Sequence, residues 1–200
     1  YNDIEGSRLR AGFRTYRTRH DMWRIQAYTA YGFRDDKWKF GGEAKYMFNK
    51  TNRFQIGGGY RQDVLQLGVQ LTTDEGIMTR SFASSSVLNS GETTSMSSVK
   101  QYNFFTSIEP WKNFQIKLDA TTQNIRSADS NLFNIDYYRQ GVLRNDLNDT
   151  KLTTTLIFRP GIKFSTYGVD RYEMTALATN PSLILKYTKG VGGFFNSEFN

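Results

Sequence analysis

Side chains that could act as a base, a nucleophile or a metal ligand are sparse in this sequence and stand far apart. The single histidine, His20, is followed directly by Asp21 in a polar stretch. Such a pair supports general-base catalysis only when a nucleophile lies within hydrogen-bond reach, and the surrounding residues offer none. There is no cysteine and no second histidine, so a zinc-type site also lacks ligands. We interpret His20 and Asp21 as part of a solvated turn.

Two further motifs resemble binding sites only in part. Asp146, Asn148 and Asp149 have the oxygen-rich spacing of a calcium loop, but the glycine and the terminal glutamate of an EF-hand loop are missing. The glycines 57–59 resemble a phosphate cradle, but no helical periodicity follows them. A polar loop and a bent or closely packed strand explain the two motifs. The sequence therefore predicts a non-enzymatic protein without catalytic, cofactor-binding or metal-binding residues.

The main pattern of the chain is an alternation of apolar and polar residues with period two. In WKFGGEAKYMF at 38–48, Trp38, Ala44 and Phe48 share one face, and Lys39 and Lys45 share the other. Antiparallel strands whose two faces meet different environments have this period. The pattern predicts eight strands at about 8–16, 23–33, 38–48, 54–63, 102–108, 114–122, 152–158 and 183–187. The final run FFNSEFN is typical of the start of a ninth.

The predicted connections differ in length in a regular way. Long polar connections at about 64–98 and 126–149 follow the fourth and sixth strands, whereas those after the first, third and fifth are short. In an up-and-down sheet the long connections then share one end, as the outer loops of outer-membrane barrels do. The segment 162–180 is compatible with a loop or a short strand. By the same rule this connection should be short, yet it spans roughly twenty residues.

The placement of bulky rings distinguishes a membrane barrel from a β-sandwich. In the second and third predicted strands large aromatic residues lie at both ends, with Ala27 and Thr29 or Gly42 and Ala44 between them. Amphipathic rings suit the two headgroup levels of a membrane, whereas a sandwich core needs its bulk in the middle. The apolar face is predicted to meet lipid through an aromatic girdle of Trp23, Tyr31, Phe33, Trp38, Phe40, Tyr46, Phe48, Phe54 and Tyr60.

The opposite, polar face carries charge along its whole length and is predicted to line a lumen. Its charged residues are Arg8, Arg10, Arg14, Arg24, Lys39, Glu43, Lys45, Arg61, Lys117 and Asp119. With a net charge of +7, these residues could favour anions, or they could pair with Glu43, Asp63, Asp119 or a plug. Nucleic-acid binding is disfavoured, because the rings and the basic residues lie on opposite faces. The sequence contains no run of 18 apolar residues, so it predicts no membrane-spanning helix.

Three runs carry a resemblance to a known family: YNDIEGSRLRAG at 1–12, GYRQDVLQLG at 59–68 and NPSLILKYTKGVGG at 180–193. Together they resemble the barrel region of a Bacteroidota outer-membrane family of unassigned function. In that family a carboxypeptidase-regulatory-like β-sandwich domain precedes a barrel similar to the outer-membrane insertase and two-partner-secretion superfamily. The resemblance implies that this chain is about half of a barrel. Because the chain begins at Tyr1 without a signal peptide, it is also typical of a processed or partial chain.

The sequence thus predicts an all-β, antiparallel up-and-down transmembrane β-barrel, of which residues 1–200 form about eight strands of about 16. The expected role is non-enzymatic, in outer-membrane protein assembly or secretion or as a subunit of an outer-membrane complex. The expected location is the outer membrane of a Gram-negative bacterium, with lipid and other outer-membrane proteins or lipoproteins as partners, and no nucleic acid. A diffusion or TonB-linked transport barrel with a basic lumen and a soluble β-sheet binding module remain as alternatives.

Overall fold

A computed structural model describes residues 2–15, 18, 20–66, 96–139, 141–174, 181–193 and 197. These residues form an all-β fold and contain no helix, and so none long and apolar enough to cross a membrane. The strands are β1 (Arg8–Arg14), β2 (Trp23–Gly32), β3 (Lys37–Asn49), β4 (Phe54–Gln66), β5 (Met96–Trp111), β6 (Phe114–Ser127), β7 (Tyr137–Arg139), β8 (Val142–Arg144), β9 (Asp146–Phe158), β10 (Phe164–Tyr167), β11 (Asp170–Glu173) and β12 (Leu183–Gly190).

Eight of these strands form one antiparallel sheet in the order β1-β2-β3-β4-β5-β6-β9-β12. Each of these strands pairs with the next sheet strand along the chain, which confirms the all-β antiparallel prediction and the up-and-down order. The sheet is not closed, because β1 and β12 each pair with a single neighbour in the described residues. The remaining strands form two small hairpins, β7–β8 and β10–β11, within the connections that follow β6 and β9.

The eight sheet strands correspond to the eight predicted ones, but several extend further into polar sequence. β5 begins at Met96, and β9 begins at Asp146, inside the predicted loop at 126–149. Side-chain pairs support this extension: Asn124 Nδ2 donates to Asn148 Oδ1 at 2.8 Å, and Gln123 Nε2 donates to Asp149 Oδ2 at 3.1 Å. Most of the predicted loop at 64–98, and all but residue 197 of the predicted ninth strand, lie outside the described residues.

The connections define two ends of the sheet. The turn end carries the connections after β1, β3, β5 and β9, and the loop end carries those after β2, β4 and β6. Three tight turns contain residues with positive φ, at Asp36 (49°), Arg53 (49°) and Asn113 (63°). The connection after β9 departs from the expected short length at the turn end, since it contains the β10–β11 hairpin.

Burial in the sheet is the reverse of that in a soluble β-protein. On the apolar face, Trp38 is 61% exposed and Phe104 is 54% exposed. On the polar face, Arg24 and Arg61 are each only 2% exposed. The one cluster of buried apolar side chains in the described part of the chain is small and consists of Ile4, Val64 and Met96, with Ala128 packed against it. The described residues therefore lack a large apolar core and have their charged face covered instead.

Candidate functional site: the two faces and the hairpin that covers one of them

The rings of the apolar face form two rows, one on the loop side of the strands and one at the turn end. On the loop side the ring centroids of Tyr31 and Trp38 are 5.0 Å apart, and those of Tyr60 and Tyr102, nearer the middle of β4 and β5, are 4.7 Å apart. At the turn end the contacts are Tyr46–Phe48 at 4.8 Å, Phe48–Phe54 at 5.7 Å, Trp111–Phe114 at 5.4 Å and Phe114–Phe158 at 6.4 Å. Such pairs also stabilise neighbouring strands against each other.

All nine residues of the predicted girdle fall on this face or directly beside its strands, and Trp23 and Phe33 are exposed there. That they contact lipid stays a prediction. Sequence reasoning left out Tyr102, Trp111, Phe114 and Phe158, which extend the two rows onto β5, β6 and β9. The same alternation of apolar and polar residues could have identified them.

Between the rows the apolar face is smooth and uncharged. Small residues pair across the strands here, with Ala27 opposite Gly42 and Ala44 opposite Gly58. In β1 to β4 no position of this face carries Asp, Glu, Lys or Arg. In β1 to β4 the charged side chains therefore all lie on the polar face.

At the loop end the polar face is held by a buried network centred on Glu5. This carboxylate lies 2.8 Å from Lys39 Nζ and 3.1 Å from Arg8 Nη1. Arg8 also pairs with Asp63 at 2.9 Å, and the Tyr28 hydroxyl donates to Asp63 at 2.7 Å. Glu5 belongs to the segment before β1, so no strand pattern could have marked it as a partner of β3.

At the turn end the β10–β11 hairpin lies over the polar face and contacts it through Asp170. The Asp170 carboxylate lies 2.9 Å from Arg24 Nη1, 2.8 Å from Lys45 Nζ and 4.0 Å from Arg14 Nη2. We call Arg14, Arg24 and Lys45 the basic cluster. Its members come from β1, β2 and β3, whereas Asp170 begins β11, far along the chain. No pattern in the sequence predicts this pairing.

Main-chain groups at the tip of the hairpin are also bound. The Val169 carbonyl accepts hydrogen bonds from Arg53 Nη2 at 3.0 Å and Gln55 Nε2 at 3.2 Å. The Val169 amide donates to the Asp21 carbonyl at 3.0 Å. Burial of the Arg53 guanidinium in this contact lowers its pKa from the ordinary value. These three bonds tie the hairpin tip to the turns after β1 and β3 and to the start of β4.

The base of the hairpin is fixed to the far side of the sheet. Asn113 Nδ2 donates to the Ile162 carbonyl at 3.1 Å, and Arg171 pairs with Glu109 of β5. The Arg171 guanidinium also stacks on the Phe164 ring, 3.7 Å from its centroid. The hairpin therefore reaches across the polar face from β5 to β2.

A cavity of about 590 Å³ lies between the hairpin and the polar face. Seven basic and four acidic side chains line it, so the space favours anions. Glu43, Gln101 and Lys117 from the centre of the sheet form part of its lining.

The structure places all ten predicted lumen-facing charges on the polar face. Arg10 lies over the Tyr28 ring at 3.7 Å, Arg61 donates to Gln101 at 3.0 Å, and Lys117 lies 3.5 Å from Asp119. Glu43 accepts from Gln26 at 3.4 Å. Two interpretations of the basic residues were open, a preference for anions and pairing within the protein. These contacts agree with pairing within the protein. Glu5, Asp35 and Asp170 supply most of the carboxylates, and a hairpin of this chain covers the face.

The remaining motifs do not converge into sites. His20 lies in the connection after β1, where its amide donates to Thr18 Oγ1 at 3.4 Å. Hydrogen bonds from Thr18 hold the pKa of Asp21 below its ordinary value. Asp146 and Asn148 lie on the opposite side of β9 from Asp149. In the described part of the chain no three potential metal-ligating carboxylate or imidazole groups cluster.

Gly57, the first of the three consecutive glycines of β4, serves close packing. A side-chain carbon at Gly57 would collide with the Phe105 ring of β5, which covers this position. Aromatic rings often cover strand glycines in this way and thereby fix the register of the two strands. No helix follows these glycines, so a phosphate cradle has no support here.

The fold and the two faces define the class of this protein: an antiparallel β-meander with an exposed aromatic face and a covered, charged face. No protein-family model, no curated protein and no solved structure matches the chain.

Proposed function

We propose that this chain forms part of the wall of a transmembrane β-barrel in the outer membrane of a Gram-negative bacterium. The observation that carries the proposal is the reversed burial, with rings exposed on one face and arginines buried on the other. In water, exposed apolar surface costs about 25 cal/mol of free energy per Å². Lipid on the apolar face removes that cost, and it suits a smooth, uncharged surface bordered by two aromatic rows.

The distance between the aromatic rows supports the same assignment. In β3, Phe48 follows Trp38 by ten residues. At about 3.3 Å per residue and a strand tilt of about 40°, ten residues cover about 25 Å along the membrane normal, the height of an outer-membrane apolar band. β1 and β12, which each have a single neighbour among the described residues, would pair with further strands of a larger barrel of about 16.

The most direct test compares two neighbouring residues at one depth. Ala120 of β6 lies on the apolar face, and Thr121 lies on the polar face, 7% exposed. Each is replaced by cysteine in full-length protein in which that cysteine is the only one, and is labelled with an environment-sensitive fluorophore. We expect lipids brominated in their acyl chains to quench the label of Ala120→Cys and to leave that of Thr121→Cys nearly unchanged. Equal quenching of both labels would exclude lipid contact for the apolar face.

Within this class, the family resemblance directs the proposal to a non-enzymatic role in outer-membrane protein assembly or secretion, or in a complex with other outer-membrane proteins or lipoproteins. Depletion of the protein should then lower the amounts of other outer-membrane proteins. Unchanged amounts would count against this role while leaving the barrel assignment intact.

A second role, solute transport, is favoured by the cavity with its excess of basic side chains. A transport barrel of this kind would show anion-selective conductance in planar bilayers. A silent barrel would favour the assembly or secretion role.

A further inference from the structure

We infer that the basic cluster is a binding site for the carboxylate of a small anionic solute, and that Asp170 occupies this site from within the chain. The inference rests on the polar face alone and does not depend on which medium the apolar face meets. It adds to the transport candidate a class of solute and a site.

The first observation concerns Arg24, whose side chain is 2% exposed. Its Nη1 atom lies 2.9 Å from Asp170 Oδ2, yet none of its three guanidinium nitrogens makes a hydrogen bond in the described part of the chain. The two groups therefore attract each other through their charges but are not aligned for a hydrogen bond. A guanidinium is suited to binding both oxygens of a carboxylate through two parallel hydrogen bonds. A carboxylate free to turn would satisfy Arg24 better than Asp170 does.

The second observation is the way Asp170 reaches the cluster. β10 and β11 are four residues long each, and a two-stranded hairpin of this size is marginally stable on its own. Its position depends on separate contacts at Val169, Asp170 and Arg171. A tethered group of this kind competes with a free ligand at an effective concentration of about millimolar. A solute at higher concentration, or one that binds Arg24 with better geometry, can displace it.

The third observation is the space next to the cluster. The cavity of about 590 Å³ has the volume of a small-molecule site. Arg53, Arg171 and Lys117 line it together with the basic cluster. Withdrawal of Asp170 would leave seven basic and three acidic side chains, because Asp170 is one of the four acidic ones present. The field in the cavity would then be more strongly positive, as anion binding requires.

Calorimetric titration of full-length protein in detergent with succinate tests the inference. Asp170→Asn removes the internal carboxylate and keeps the shape of the side chain, so we expect it to bind succinate at least about ten-fold more tightly than the unmodified protein. Adding Lys45→Gln to Asp170→Asn should return the affinity to the unmodified level or below. Lys45 is chosen because it is 22% exposed and therefore more tolerant of substitution than Arg24. Arg24→Gln in the same background should abolish binding.

Lys186→Gln in the same background is the matched control. Lys186 lies on the same face of the sheet in β12, is exposed and does not line the cavity. It should leave the affinity unchanged, and all titrations are made at one ionic strength because screening alters every charge contact.

Three outcomes would overturn the inference. The first is no gain of affinity in Asp170→Asn, and the second is a gain that Lys45→Gln does not reverse. The third is binding of a capped tetrapeptide, Gly-Val-Asp-Arg, without binding of succinate, which would assign the site to a polypeptide carboxylate. None of these results bears on lipid contact, so failure here and failure of the membrane assignment can be told apart.

Discussion

At the scale of single residues, Ala44 and Lys45 show how one strand serves two environments. They are neighbours in β3, and their side chains point to opposite faces. The sequence predicts a small cost for Lys45→Ala unless Lys45 has a buried partner, and in the structure its partner is Asp170, 2.8 Å away, whose side chain is 12% exposed. We therefore expect Lys45→Ala to weaken the docking of the hairpin, with little effect on the sheet, because a partly exposed ion pair contributes little to global stability.

Ala44→Arg is expected to destabilise the folded protein in membranes by about 2–4 kcal/mol, because Ala44 lies midway between the two aromatic rows of the apolar face. Equilibrium unfolding in guanidinium chloride with lipid vesicles measures this cost. Thr51→Arg is the control, since Thr51 is exposed in the turn after β3. If the two variants lose the same stability, Ala44 does not face the lipid interior.

At the scale of elements, the β10–β11 hairpin forms a second layer over the turn end of the polar face. Its tip depends on Gly168, whose φ of +57° lies in the left-handed region. A side-chain carbon at this position would also collide with the Asp21 carbonyl. Arg53, which holds the Val169 carbonyl, has a φ of +49°, a conformation that costs a non-glycine residue about 1 kcal/mol or more. Docking of the hairpin therefore involves a left-handed backbone conformation at Gly168 in the hairpin and at Arg53 in the facing turn.

Gly168→Ala is expected to release the hairpin tip and to speed hydrogen exchange of the Val169 amide by at least about ten-fold, since the collision breaks its bond to the Asp21 carbonyl. Gly141→Ala is the matched control: Gly141 has a φ of +78° but open space around it. That variant has the same kind of backbone cost and should leave the Val169 amide unchanged. Equal exchange in the two variants would mean that close packing at Asp21 does not hold the tip.

At the scale of the whole molecule, the sheet formed by the described residues has two unpaired edges and an unburied apolar face. β12 is exposed on both of its faces, with Leu183, Ile184 and Leu185 in sequence and all open. An edge strand that exposes three adjacent aliphatic residues has a strong tendency to pair with a further strand. In a larger barrel, additional strands would cover this edge, and lipid would cover the apolar face.

The full-length protein is accordingly expected to fractionate with membranes and to require detergent for extraction. Removal of the detergent should precipitate it or transfer it into added lipid. A full-length protein that stays soluble at high concentration without detergent would instead support the soluble β-sheet binding module.

The sequence by itself determined which side chains share a face. Alternation is a local property, because successive residues of a strand point to opposite sides whatever the strand pairs with. Leu9, Trp38 and Lys39 could therefore be assigned to faces, and the eight sheet strands could be located, from the printed letters alone. The first residues of β5 and β9 could not be located in this way, because paired polar side chains such as Asn124 and Asn148 show no apolar alternation.

Only the tertiary structure decided what covers the polar face. Asp170 contacts Arg24 and Lys45, and Glu5 contacts Lys39, across distances in the chain that no period or motif connects. Such contacts depend on how a connection folds back over a finished sheet, which is a property of the assembled surface and not of the local pattern. The sequence therefore predicts the two faces of the sheet, whereas the contact of the Asp170 carboxylate with the basic cluster is found only in the folded structure.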